Sequence, residues 1–174
     1  MRTSVDVHNF LTELDIPHEI FSARGRLRTP ERIAAVLDLP PALVGHVVVL
    51  EGPNRAVAAV VPSGRSPKPR AVAEATGTSD LRIVSSDRAS ELTEYLFESI
   101  PPAALPAGLL IALDRRLARP EVLYFPGGEP RAVLKIRGTD LVRIPGMLLA
   151  DLIKPPGSAR TAPPSGDAAP AAAR

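Results

Sequence analysis

Near the start of the chain, hydrophobic residues recur at helical spacing. Val7, Leu11 and Leu14 fall on one stripe, which predicts an amphipathic helix that Ser4 caps and Pro17 ends. A short strand over 18–21 and a basic loop follow. Thr29 and Pro30 then have the order of a helix cap and a first-turn proline, so a second helix is expected immediately after them.

The middle of the chain is rich in β-branched residues. The runs 46–51 and 55–61 are separated by Gly52-Pro53-Asn54, which predicts a hairpin buried on both faces. The remaining pattern predicts helices at 69–76 and 88–97, strands at 81–84, 109–113, 122–125 and 132–136, and a last helix capped by Thr139. Hairpins mixed with helices indicate an α/β fold: a single domain with a mixed, mostly antiparallel β-sheet flanked by helices.

The last residues differ in composition from the rest. Residues 155–174 are nearly all Pro, Ala, Gly and Ser, with no apolar periodicity, which predicts a disordered Pro/Ala-rich tail. Residues 1–154 are then the folded domain, and their length suits one hydrophobic core rather than two.

Composition and charge narrow the class of protein. The chain is 45% hydrophobic and 23% charged, which is typical of a folded soluble protein. The net charge is only +2 and aromatic residues make up 3%, so neither a DNA-binding protein nor a broad base-stacking surface is expected. No apolar run is long enough to span a membrane, and the acidic residues in 1–16 do not fit a signal peptide. A cytoplasmic location is the expectation.

Common catalytic motifs are missing from the sequence. There is no cysteine, no phosphate-binding glycine loop, no zinc-protease motif and no serine-hydrolase elbow. His8, His18 and His46 are isolated histidines, so neither a metal site nor a cofactor is expected. A Ser-His-Asp triad can be assembled from many combinations, and no local motif selects one of them.

Several strings occur in an order that resembles the YbaK/prolyl-tRNA editing-domain family, over about residues 5–154. They are Thr29-Pro30-Glu31-Arg32-Ile33-Ala34, the strand 43–49, the strand 56–62, the helix 71–77, Asp114 followed by Tyr124 and Gly127-Gly128, and Thr139-Asp140-Leu141. Members of this family hydrolyse the ester between an amino acid and the terminal ribose of tRNA. They resemble one another in using neither metal nor side-chain nucleophile, and they position the ester and a water beside backbone N–H donors.

The resemblance implies a set of site residues in this chain. Catalytic roles would fall to His46, Ser99 and Pro102. Substrate-binding roles would fall to Arg28, Thr29, Glu98, Ile100, Asp114, Gly127 and Gly128. The loop arginines 24, 26 and 28 would suit phosphate contacts near a pocket mouth. The implied partners are the acceptor end of an aminoacyl-tRNA and, as a second partner, an aminoacyl-tRNA synthetase.

Two positions depart from the family pattern. The family's strand lysine is replaced by His46, and no lysine precedes Lys68. The glycine that opens the family's GxxxP loop is replaced by Glu98, and Pro101 removes one backbone donor from that loop.

These departures leave three functional hypotheses. The first is a deacylase that clears mischarged tRNA in trans. The second is a catalytically impaired relative that binds a tRNA end, a nucleotide or a small molecule without turnover. The third is a structural partner of a synthetase.

Overall fold

The computed structural model describes residues 1–153, which form five helices and eight strands. The helices are α1 (Ser4–Glu13), α2 (Pro30–Leu37), α3 (Pro69–Thr76), α4 (Ser86–Thr93) and α5 (Gly138–Leu141). The strands are β1 (Glu19–Ser22), β2 (Gly45–Glu51), β3 (Ala56–Pro62), β4 (Arg82–Ile83), β5 (Leu109–Asp114), β6 (Val122–Pro126), β7 (Ala132–Arg137) and β8 (Met147–Ala150). The predicted tail 155–174 lies outside the described residues.

The strands form two sheets rather than the one that the sequence predicts. The larger sheet has the order β4-β2-β3-β5-β8; its β4-β2 and β2-β3 pairs are antiparallel, whereas β3-β5 and β5-β8 are parallel. The smaller sheet, β1-β7-β6, is antiparallel throughout. The α/β class with a mixed, antiparallel-rich architecture is confirmed.

Local signals set most helix boundaries. The hydroxyl of Thr29 accepts a hydrogen bond from the N–H of Arg32, as predicted for a helix cap. Helix α3 ends at Gly77 in the left-handed conformation, where glycine carries no steric penalty.

Three boundary predictions are wrong. Thr3, not Ser4, caps α1, because its side chain and Asp6 form a reciprocal capping box. Helix α4 starts after its cap Ser85 and ends at Thr93. Thr139 lies inside α5 instead of capping it, and Arg137 occupies the cap position without a side-chain bond.

The larger sheet is covered on both faces. One face packs with α1, α4 and the smaller sheet around residues such as Val47, Val60 and Phe125. The other face packs Leu50 and Val61 against α3 and the end of the described chain. A smaller cluster lies under α2. Within residues 1–153, no helix is long and apolar enough to cross a membrane.

Candidate active site

His46 lies on β2 where the two sheets meet. Residue Val44, two positions before it, forms a parallel bridge with Tyr124 of the smaller sheet. Gly45 has no room for a side chain, since a Cβ there would overlap the ring of Phe125. This packing fixes the start of β2 and directs the half-buried His46 side chain away from Phe125.

The hydrogen bonding of His46 defines its tautomer. Its Nε2 lies 3.1 Å from the carbonyl oxygen of Arg65, and a carbonyl can only accept, so Nε2 carries the proton. Burial lowers the pKa of His46, against smaller raising effects from the Arg65 carbonyl and the Glu31 carboxylate. At neutral pH the ring is therefore neutral, and Nδ1 offers a lone pair to a hydroxyl or a water.

The N-terminal end of α2 lies on the same side as His46. Glu31, in its first turn, is close enough to act electrostatically on the imidazole. The exposed Thr29 uses its hydroxyl oxygen to cap the helix, which leaves the hydroxyl hydrogen able to donate elsewhere. Arg28 precedes it and is also exposed. Arg28 and Thr29 precede Glu31 at the end of α2 from which the Glu31 carboxylate acts on His46.

The loop 98–102 begins within a 3-10 turn, Phe97–Ser99, and most of its side chains point inward. Ser99 and Ile100 are almost completely buried, and Pro102 is buried as well. The Glu98 carboxylate accepts a hydrogen bond from Nε of Arg26, the middle arginine of the basic loop. The negative charge at the family's glycine position is therefore neutralised within the protein.

Few backbone donors remain in this loop. Pro101 and Pro102 have no N–H, and the N–H of Ser99 donates to the carbonyl of Leu96 at 2.8 Å. A substrate could therefore receive hydrogen bonds from at most two backbone groups of residues 98–102, the N–H groups of Glu98 and Ile100.

Gly127 and Gly128 connect three parts of the fold. The N–H of Gly127 donates to Ala132 within the hairpin, and the N–H of Gly128 donates to the carbonyl of Ser99, each at 2.9 Å. Gly128 has a φ of +99°, and a Cβ there would lie 3.0 Å from the backbone of Thr3. Both N–H groups are used inside the protein, so the two glycines position the Ser99 loop instead of donating to a substrate.

Asp114 is completely buried at the end of β5. Its carboxylate accepts hydrogen bonds from the N–H of Leu152 at 2.9 Å, from the N–H of Arg116 at 3.0 Å and from the Arg116 guanidinium at 3.1 Å. These bonds hold the fold together, and the substrate-binding role of Asp114 stays a prediction with no contact to support it.

The predicted site residues form two groups. His46, Thr29 and Arg28 make one, and Glu98, Ser99 and Gly128 make the other. The basic loop joins them, because Leu27 donates its N–H to Pro130 of the hairpin at 2.7 Å and Arg26 bonds Glu98. Among residues 1–153, no hydrogen bond or ion pair links His46 directly to Ser99 or Pro102.

A known protein family matches the part of the chain that carries these residues. Residues 25–144, more than half of the chain, match the model of the aminoacyl-tRNA editing domain. The chain belongs to the aminoacyl-tRNA editing domain family. The matched range contains both groups of predicted site residues, from Arg28 to Gly128, and the family resemblance in the sequence is confirmed.

Solved structures share the editing-domain fold. The hypothetical protein APE2540 superposes with a TM-score of 0.79 at 23% identity, covering 84% of this chain and 98% of that one. A candidate trans-editing enzyme for prolyl tRNA synthetase superposes with a TM-score of 0.75 at 21% identity, covering 87% and 96%. At such identities the likeness establishes the fold. No curated protein matches the sequence.

Sequence reasoning missed two residues beside His46 in this editing domain. Arg65 holds the imidazole through its backbone carbonyl, and Ser63 is buried with a side-chain oxygen that has no partner among residues 1–153. They follow β3 in a Ser-Gly-Arg stretch that matches no motif, so only the strand pairing reveals them. Among the described residues, no three His, Asp or Glu side chains lie together as metal ligands do.

Proposed function

We propose that this editing domain is a deacylase that hydrolyses mischarged aminoacyl-tRNA in trans. The observation that carries the proposal is the family match over 25–144, which spans β2 with His46, the loop 98–102 and the Gly127-Gly128 hairpin. The reaction is attack of water on the ester carbonyl carbon. The bond to the ribose oxygen breaks, that oxygen takes a proton, and free amino acid and tRNA leave.

In this proposal His46 is the acceptor that orients the reacting water or a ribose hydroxyl. Its Nε2–H is held by the Arg65 carbonyl, so Nδ1 faces the substrate with a lone pair. This role differs from that of a lysine, which would supply a fixed positive charge. The N–H groups of Glu98 and Ile100 are the donors left for the ester carbonyl.

The deciding experiment measures release of amino acid from a panel of charged tRNAs, including proline tRNA charged with alanine or cysteine. We expect the wild type to exceed the buffer rate on at least one of them. The variant H46Q keeps a donor for Arg65 but loses the basic nitrogen, and we expect its rate to fall by a factor of about 100. H8Q, a change in an exposed histidine outside the site, is the matched control. A wild type that accelerates no substrate would reject the proposal.

A binding module without turnover is the second candidate, and the loop geometry favours it. Glu98 replaces the family's glycine and is paired with Arg26. Two of the five residues 98–102 are prolines, and the Ser99 N–H already donates to Leu96, so few donors remain for a substrate. This candidate predicts that charged tRNA binds and is not hydrolysed. Hydrolysis that appears only in the double variant H46K/E98G would support it, whereas loss of an existing activity in H46Q would exclude it.

A further inference from the structure

A cavity of about 410 Å³ is lined in part by Arg65, the residue whose carbonyl holds His46, and it has no role in the reaction proposed above. It lies between the end of β3 and the segment that connects β5 to β6. The Arg65 carbonyl accepts a hydrogen bond from His46, and Arg65 also lines the cavity. A ligand that bound His46 could therefore extend into this space.

The cavity wall has a cationic part. Arg65, Arg116 and Arg119 line it, and Glu121 is its one acidic lining residue among the residues described. The Arg116 guanidinium is fixed by the buried Asp114, and the Arg119 backbone packs so closely on Gly138 that no side chain would fit at that glycine. The Arg65 and Arg119 side chains are exposed, and guanidinium groups are suited to binding phosphate oxygens.

Ser63 provides a second, independent observation. It lines the cavity, the residue is 7% exposed, and its buried hydroxyl has no hydrogen-bond partner among residues 1–153. A buried hydroxyl without a partner costs stability, and a hydrogen bond to a ligand in the cavity would remove that cost.

The rest of the wall indicates more than a bare phosphate. Leu43, Pro62 and Leu123 supply aliphatic surface, and the volume is in the range of sites for whole small molecules. The Glu121 carboxylate disfavours a doubly charged anion, but it can accept hydrogen bonds from ribose or base donors. These properties fit a nucleotide linked by a singly charged phosphodiester.

We propose that this cavity binds the nucleotide next to the acylated adenosine, with Arg65, Arg119 and Ser63 contacting its phosphodiester. The inference rests on the proposed function, because it places the terminal adenosine at His46. It predicts that the editing domain recognises a single-stranded RNA end through one backbone phosphate beside the reaction site.

The test uses fluorescence anisotropy with a labelled single-stranded RNA that ends in CCA. We expect R65Q/R119Q to bind about tenfold more weakly than R70Q/R82Q, which removes two exposed arginines elsewhere. The dependence of log affinity on log salt should also become shallower by about one for each lost phosphate contact. The dinucleotide CpA, which carries one phosphodiester, should compete with the RNA, and adenosine should not.

S63A separates a ligand contact from a structural role. We expect this variant to lose affinity about tenfold while its melting temperature stays the same or rises, because the hydroxyl has no partner in the free protein. A lowered melting temperature with unchanged affinity would assign the hydroxyl to the fold and contradict the proposal.

Three results would overturn the inference: no RNA binding by the wild type, equal losses in the two arginine pairs, or equal competition by adenosine and CpA. Deacylation is measured separately on the same variants. Arginine-dependent RNA binding without any deacylation would reject the proposed function and leave the cavity as an RNA site. Deacylation combined with equal RNA affinity of the two arginine double variants would support the proposed function and reject the cavity as an RNA site.

Discussion

Removing the Asp114 carboxylate is expected to destabilise the protein severely. Asp114 is completely buried, and it accepts the backbone N–H groups of Arg116 and Leu152 as well as one N–H of the Arg116 guanidinium. In D114A both backbone donors lose their partner, and each such loss costs about 1.5–3 kcal/mol when the acceptor was charged. The guanidinium is one-third exposed and can be solvated, so it adds little.

The expected loss in the free energy of unfolding for D114A is therefore about 3–6 kcal/mol, a large part of the stability of a typical domain. D114N keeps one oxygen as an acceptor, so it should lose about half as much. E91A is the control, because it removes an exposed carboxylate paired with Arg88 and should cost about 0.5 kcal/mol or less. Urea denaturation followed by circular dichroism measures all three variants.

A loss below about 1 kcal/mol in D114A would refute this reasoning, because it would mean that water replaces the carboxylate at both donors. An RNA or substrate effect in D114N without a stability loss would instead restore the predicted binding role of Asp114.

Three further predictions concern the fold and its pH dependence. G45A should lose about 2 kcal/mol, because its Cβ overlaps Phe125, and adding F125L should recover part of the loss in urea denaturation. G77A should lose about 1 kcal/mol and G77N less, since position 77 has a φ of +68°. The pKa of His46 is lower in the folded protein than in the unfolded chain, so the unfolded chain binds a proton first as the pH falls. The stability that neutral His46 contributes is therefore complete above pH 6.5 and declines at lower pH. The difference in unfolding free energy between wild type and H46Q, measured at pH 7.5 and 5.5, isolates this effect.

Each of these has a contradicting outcome. No recovery in G45A/F125L would place the strain elsewhere than at the phenyl ring. Equal stability of G77A and wild type would show that the helix end readjusts. A difference between wild type and H46Q that does not change with pH would mean that water reaches the folded imidazole freely.

The elements that could be predicted from sequence are those with signals at both ends. Helix α3 is the best example, because Pro69 fixes its first turn and Gly77 its last. The strand β8 had no such signal. Its residues Met147–Ala150 are only partly buried, and the strand exists because it pairs in parallel with β5, far away in the sequence. The division into two sheets has the same origin, since it depends on which distant strands pair.

The candidate site residues come from the family resemblance, and their role stays a prediction. The resemblance selected His46, but not its tautomer, which depends on the Arg65 carbonyl. It selected Glu98 as a departure, but not its pairing with Arg26, which lies 72 residues earlier. Side-chain partners this far apart are set by tertiary packing, and no local pattern encodes them.

The Val44–Tyr124 bridge makes the orientation of His46 a shared property of both sheets. A substitution on β6 that tilts one sheet against the other would change the orientation of the imidazole without contacting it. Suppressors of His46 variants in a directed-evolution experiment should therefore be sought on β6, especially around Phe125, as well as among the residues that contact the imidazole ring.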